Sequence, residues 1–370
     1  MNKIIVLSLL SLFATINLFS QLTVPPDGGN KKAMVSERIG ITDVTVHYDR
    51  PGVKGREGKI WGQLVHTGYA DLNFGTSKQA PWRAGANENT TIEFSTDVMI
   101  EGQPLPAGKY GFFIAYDPAE PTLIFSKNTT SWGSFFYKPE EDVLKVKVKP
   151  VVTDKSTEWL KYEFMNETEN SATIALVWEK LMIPFKVEVD LNKIQLESFR
   201  RELRGERSFS PGWQSFQQAA RYTADKNIDL EEGLQWADHS ISDQFVGEGN
   251  FMTLSTKAAI LMKLGKNAEA DTLMKKAVPL GNMGQIHQYG RQLLTEKKSK
   301  EALEVFKTNF QKNPDQFTTL MGLTRGYSAN ADYKNALKYA NLALAKAPGQ
   351  PAKTQVEGMI QKLKEGKDVN

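Results

Sequence analysis

No cysteine occurs among the 370 residues. That excludes disulfides, thiolate metal sites and cysteine nucleophiles together, and with them a bacterial lipoprotein, whose lipid is carried on a cysteine. Histidine is almost as scarce: His47, His66, His239 and His287 are the whole set, and none has a second histidine at ligand spacing,. No metal site and no cofactor is expected. Charge of one sign is also lacking, with 46 basic and 43 acidic side chains giving a net +3. The basic surplus lies beyond residue 194, in segments that also carry acids, so no phosphate-tracking stripe forms and no nucleic-acid partner is expected. Missing too are a Gly-x-Ser-x-Gly elbow, a His-Glu-x-x-His pair, a phosphate loop and a calcium loop. No reaction follows from these residues, and a non-catalytic role is the expectation.

One apolar run stands at the N-terminus. Lys3 precedes Ile4 to Phe19, broken only by Ser8, Ser11, Thr15 and Asn17, and the small Ser20 comes before Gln21. This is the pattern of a cleaved signal peptide over residues 1–20, and it is short for a membrane span, which needs roughly 20 apolar residues. A turn-rich spacer is expected over 21–32, with no integral membrane span after cleavage. At 40% hydrophobic and 24% charged, the rest has the composition of a globular protein of about two domains,.

Residues 33–190 alternate like strands. Thr42 to Tyr48 carries Val44, Val46 and Tyr48 on one side, and Thr91 to Ile100 and Lys109 to Tyr116 follow. Val143 to Lys149 sets Leu144, Val146 and Val148 against Lys145, Lys147 and Lys149, a solvated face suited to an edge strand,. About eight short strands without a helical period predict an antiparallel β-sandwich.

Near residue 191 the period changes from two to 3.6 and stays there to residue 370. Three copies of one pattern occupy about 251–348, with Ala270, Ala302 and Ala336 at equivalent places. They resemble tetratricopeptide repeats, whose small residues let two helices pack closely. Val356, Met359, Ile360 and Leu363 mark a capping helix over 353–365,. The fold class is therefore multidomain, all-β followed by all-α: a sandwich and then a short tetratricopeptide-like solenoid.

Candidate functional residues fall into two sets. In the strand-rich half, His47, Asp49, Arg50, Arg56, Arg83, Asn87 and Glu88 lie in or beside loops rich in Gly and Pro. Guanidinium forks bind carboxylate or phosphate; the same arginines could equally form an internal ion-pair network with Glu88 or Asp49. Trp61, Trp82 and Trp132 suit a sugar platform or, more simply, a core. In the helical half, the inward positions of each first helix are Met252, Ser255, Ala259, Met262 and Lys263, then His287, Arg291 and Leu294, then Met321, Arg325 and Ser328. Lys263, His287, Arg291 and Arg325 would make a partner groove favouring an acidic segment.

Tyr48-Asp49-Arg50-Pro51 with Gly55-Arg56, Trp82 to Glu88, Ala107-Gly108-Lys109-Tyr110 and Trp132-Gly133 together resemble the domain-of-unknown-function family 2911 over roughly residues 30–190. The resemblance implies secreted bacterial proteins, often with tetratricopeptide repeats appended, and brings no known activity and no established site residues. The expectation is a binding or assembly protein, secreted or periplasmic in a Gram-negative bacterium. Its solenoid would engage a protein partner; the alternative is a small-molecule binder, of an anion or a sugar, or an enzyme using the β-domain loops.

Overall fold

The computed structural model describes residues 29–370; the expected signal peptide and most of the expected spacer lie outside these residues. Two compact units divide between Ile194 and Gln195.

Among the described residues the first unit is built of ten antiparallel strands in two sheets. Strands β1 (Lys31–Ile39), β2 (Thr42–Arg50), β3 (Thr90–Phe94), β6 (Gly108–Ala115), β7 (Thr122–Ser126) and β8 (Asp142–Lys147) form one sheet in that order. The other runs β5 (Gln103–Leu105), β4 (Val98–Ile100), β10 (Ser171–Glu188) and β9 (Val151–Met165). Alternation aims Val44, Val46, Ile92, Phe112 and Phe125 of the first sheet, and Ile100, Leu160, Ile174, Trp178 and Phe185 of the second, into one shared core,. Edge strands β1 and β8 carry charge, Lys31, Lys32, Glu37 and Arg38 on one and Lys145 and Lys147 on the other, which discourages further pairing,.

Three features differ from the sequence reading. The stretch Thr91 to Ile100, read as one strand, divides into β3 and β4, which lie in different sheets. Strand β1 begins at Lys31, inside the expected spacer, because its polar side chains hide the alternation that its pairing with β2 imposes. Strand β10 is one continuous strand of 18 residues rather than one of the short strands expected. A bulge at Glu179 (φ 51°) shifts the register, so inward positions pass from 172, 174, 176 and 178 to 181, 183, 185 and 187,.

Ten helices follow: α1 (Leu191–Glu202), α2 (Trp213–Lys226), α3 (Leu230–Ser242), α4 (Phe251–Lys263), α5 (Asn267–Ala277), α6 (Met283–Thr295), α7 (Ser299–Lys312), α8 (Phe317–Ala329), α9 (Tyr333–Ala345) and α10 (Gln350–Lys364). Asn250 and Asn282 start α4 and α6 with reciprocal capping boxes,. Small residues set the packing distance. Phe306 is 1% exposed, and a Cβ on Gly290, Gly322 or Gly326 would approach its ring to 2.4, 2.6 or 2.9 Å. Among the described residues, no helix is long and apolar enough to cross a membrane.

Candidate functional site

The turn Trp82–Asn89 is held from four sides. Trp82 exchanges backbone hydrogen bonds with Ile114, at 2.9 and 2.8 Å, and its indole N–H donates to the Gly85 carbonyl at 3.1 Å. Ala84 is fully buried in the left-handed region (φ 51°), an uncommon place for alanine, and its carbonyl accepts from Thr90 Oγ1 at 3.0 Å and Tyr162 OH at 2.8 Å,. Gly85 leaves no room for a Cβ, which would meet Thr90 Oγ1 at 2.8 Å and the Asp49 carbonyl at 3.1 Å. These contacts explain why the motif is dense in small residues: the turn lies directly on the backbone of β2.

The three arginines do not converge, and the anion pocket expected from them is not formed. Arg50 Nε donates to the Leu160 carbonyl at 2.8 Å. Arg56 closes its own turn through the Val53 and Gly52 carbonyls at 2.9 and 2.7 Å. Arg83 donates to the Asn87 carbonyl at 2.8 Å and lies against the rings of Trp132 and Phe135, at 5.3 and 5.7 Å. Burial lowers its pKa, and among the described residues no carboxylate pairs with it, so the expected ion pairs to Glu88 or Asp49 are replaced by cation–π contact,. Trp61 and Trp82 join Trp178 in the core, with Trp82 and Trp178 stacked at 6.1 Å; Trp132 is the exposed member of the expected platform, at 59%.

Asp49, Asn87, Glu88 and His47 do gather, around a residue the sequence reading left out. Asp49 is 4% exposed at the end of β2 and accepts from Asn87 Nδ2 at 3.3 Å, while Asn30 donates to Asn87 Oδ1 at 3.1 Å. Lys32, opposite Asp49 in the β1–β2 register, pairs with Glu88 at 2.9 Å. His47, exposed two residues along the same face, completes a cleft of about 410 Å³ with Lys32, Met34, Asp49 and Glu88. Burial, and then hydrogen bonding to Glu88, raises the Asp49 pKa to about 6, against the Asn87 amide and Lys32. The Lys32 ammonium holds Glu88 low. Of the two carboxyl groups, Asp49 is therefore the one that takes up a proton first, as the pH falls through about 6. Among the described residues no group of three or more His, Asp or Glu could hold a metal ion.

In the helical unit, His287 and Arg291 of α6 face Arg325 of α8. Burial, and then the two guanidiniums, press the His287 pKa down to about 4, and burial and Arg291 lower that of Arg325. His287 packs on Phe306, with its Nδ1 buried and unpartnered. Among the described residues, neither arginine has a salt bridge. Lys263 is exposed on α4 and no contact brings it to the other three. Sequence reasoning missed the chain segment lying on this face: Arg325 Nη1 donates to the Val369 carbonyl at 3.3 Å, and Ser328 Oγ donates to Asp368 at 2.6 Å. A lone aliphatic residue, Val369, in a polar tail was the available signal.

Residues 30–187, less than half of the chain, match the family model described as "Protein of unknown function (DUF2911)". No curated protein matches the sequence. Among solved structures the chain is similar to "MamA 41-end from Desulfovibrio magneticus RS-1", at 15% identity over 44% of this chain and 95% of that one, with a TM-score of 0.29. It is also similar to "MamA RS-1 ArsTM double mutant", at 16% identity with the same coverage and TM-score.

Proposed function

We propose that this is a non-catalytic binding protein acting outside the cytoplasm, secreted or periplasmic, whose helical unit engages a protein partner. One observation carries the reading: Arg291 and Arg325 bring two positive charges together beside the neutral His287 on one face of α6 and α8, without a salt bridge to either arginine among the described residues and with Asp368 the acid that partly offsets them. Like charges held together are unfavourable unless something neutralises them, and an acidic segment of a partner supplies that. The export part of the reading rests on the apolar N-terminal run and the absence of cysteine,.

The β-domain cleft supports a weaker second role. Its polar groups are an acid pair, a lysine and a histidine, which suits a small cationic or hydrogen-bonding ligand better than the anion expected from the arginines. The main reading is tested by cross-linking in the native host. Arg291→Glu combined with Arg325→Glu should abolish recovery of the cross-linked partner while the helical circular dichroism persists. Undiminished recovery would remove the reading.

A further inference from the structure

The segment after α10 turns back and binds α8. Gly366, in the left-handed region (φ 69°), closes the helix, with Lys367 N–H donating to the Lys362 carbonyl at 2.9 Å,. Asp368, Val369 and Asn370 then lie along the inward face formed by Met321, Arg325 and Ser328. Ser328 Oγ both donates to Asp368 Oδ1 at 2.6 Å and accepts from Val369 N–H at 3.0 Å. Arg325 Nη1 reaches the Val369 carbonyl, and Asn370 Nδ2 donates to the Arg325 carbonyl at 3.0 Å. The Val369 side chain is 8% exposed in one cluster with Leu320, Met321, Met359 and Leu363.

These contacts have the grammar of peptide capture. An extended segment gives up its backbone N–H and C=O to side chains of one helix, places an aliphatic residue in a pocket, and sets a carboxylate beside an arginine. Asp368 is the acid whose charge supports the Arg325 guanidinium, opposing the effect of Arg291. Segments that follow a last helix are ordinarily solvated unless specific contacts tie them down. Here one polar side chain, Ser328, 1% exposed, satisfies two groups of the tail.

We propose that residues 368–370 are a ligand mimic held in place: they fill the subsite through which the solenoid takes a partner's extended segment, an acidic residue followed by a β-branched aliphatic one, and the partner binds by displacing them. The inference rests on the binding reading above and adds the chemistry of the partner and a built-in competitor. A short tether supplies an effective concentration on the order of 1 mM. A subsite with an intrinsic dissociation constant of about 0.1 mM would then be about nine-tenths filled by the tail, so removing the tail should tighten binding in trans about tenfold.

The test is fluorescence anisotropy with a labelled peptide carrying residues 361–370, titrated with the full chain and with a chain ending at Glu365. The expected result is about tenfold tighter binding to the shortened chain, lost with Ser328→Ala in that chain and with Val369→Asp in the peptide. Equal binding to both chains, or none to a shortened chain that keeps its helical signal, overturns the proposal. Should shortening unfold the helices, full-length Val369→Ser, which loosens the tail without removing it, gives the same comparison. A shift of the full chain to dimer at high concentration, abolished by the shortening, would assign the subsite to exchange of tails between copies and overturn displacement by a partner. If the double charge reversal removes the partner but shortening changes nothing, the tail falls and the groove stands; if the reversal leaves the partner bound, the groove falls whatever the peptide does.

Discussion

The candidate arginines of the two units are used in opposite ways. In the β unit Arg50, Arg56 and Arg83 each close a piece of the scaffold, on backbone carbonyls or against Trp132 and Phe135. In the helical unit Arg291 and Arg325 oppose each other across two helices, and the chain's own tail answers one of them. The denser sequence motif thus belongs to structure, and the sparser one is the one proposed here for recognition. A buried guanidinium needs partners in order to fold, so a motif rich in arginine and glycine first signals a demanding turn.

Substitutions can break this contrast. Arg83→Ala should have the largest effect, about 2 kcal/mol of lost stability, because it removes a part-buried hydrogen bond and the contacts to two rings,. Denaturant unfolding followed by tryptophan fluorescence measures it, and an unchanged midpoint would return Arg83 to the candidate ligand-binding set.

The pH responses sharpen the contrast because they have opposite sign. Asp49 has a folded pKa of about 6 against 3.8 in the unfolded chain, so the native state keeps a proton that the unfolded state loses. Its contribution is greatest below about pH 4 and declines as the pH rises through 6. Glu88, held low by Lys32, contributes with the reverse sign and is exposed, so its part is smaller. Asp49→Asn should therefore stabilise the protein at pH 7.5 by on the order of 1 to 2 kcal/mol and flatten that slope; a loss of stability at pH 7.5 would show that the carboxylate itself is needed there.

His287 runs the other way. Its folded pKa of about 4 lies below the ordinary 6.5, so its contribution is intact above pH 6.5 and is lost as the pH falls towards 4,. His287→Leu should remove on the order of 1 kcal/mol of acid sensitivity, read from helical circular dichroism across that range. The smallest effect belongs to Arg291→Gln. Relief of repulsion with Arg325 should raise stability by at most about 0.5 kcal/mol, more at low salt than at high, and a clear loss would mean that Arg291, too, supports the fold.

Much of this architecture was legible in the chain. Val44, Val46 and Tyr48 announce an inward face of β2, and Ala270, Ala302 and Ala336 announce close helix pairs, because burial on one face enforces a period. The candidate sites were legible only in part. His47 and Asp49 share a face by strand geometry alone, but Lys32 joins them through the β1–β2 register, which no local pattern encodes. Spacing offers Arg83 either a ligand or an ion pair with Glu88 or Asp49, yet the turn through Ala84 aims it at Trp132 and Phe135 instead.

By itself the sequence determined the periods, and with them the two kinds of unit and the place where one gives way to the other, since side-chain direction repeats with the backbone. Only tertiary structure decided which charges meet. It placed Lys32 beside Glu88, raised the pKa of Asp49, and returned Val369 to α8, because pairing between distant residues depends on how sheets and helices are brought together rather than on neighbours along the chain.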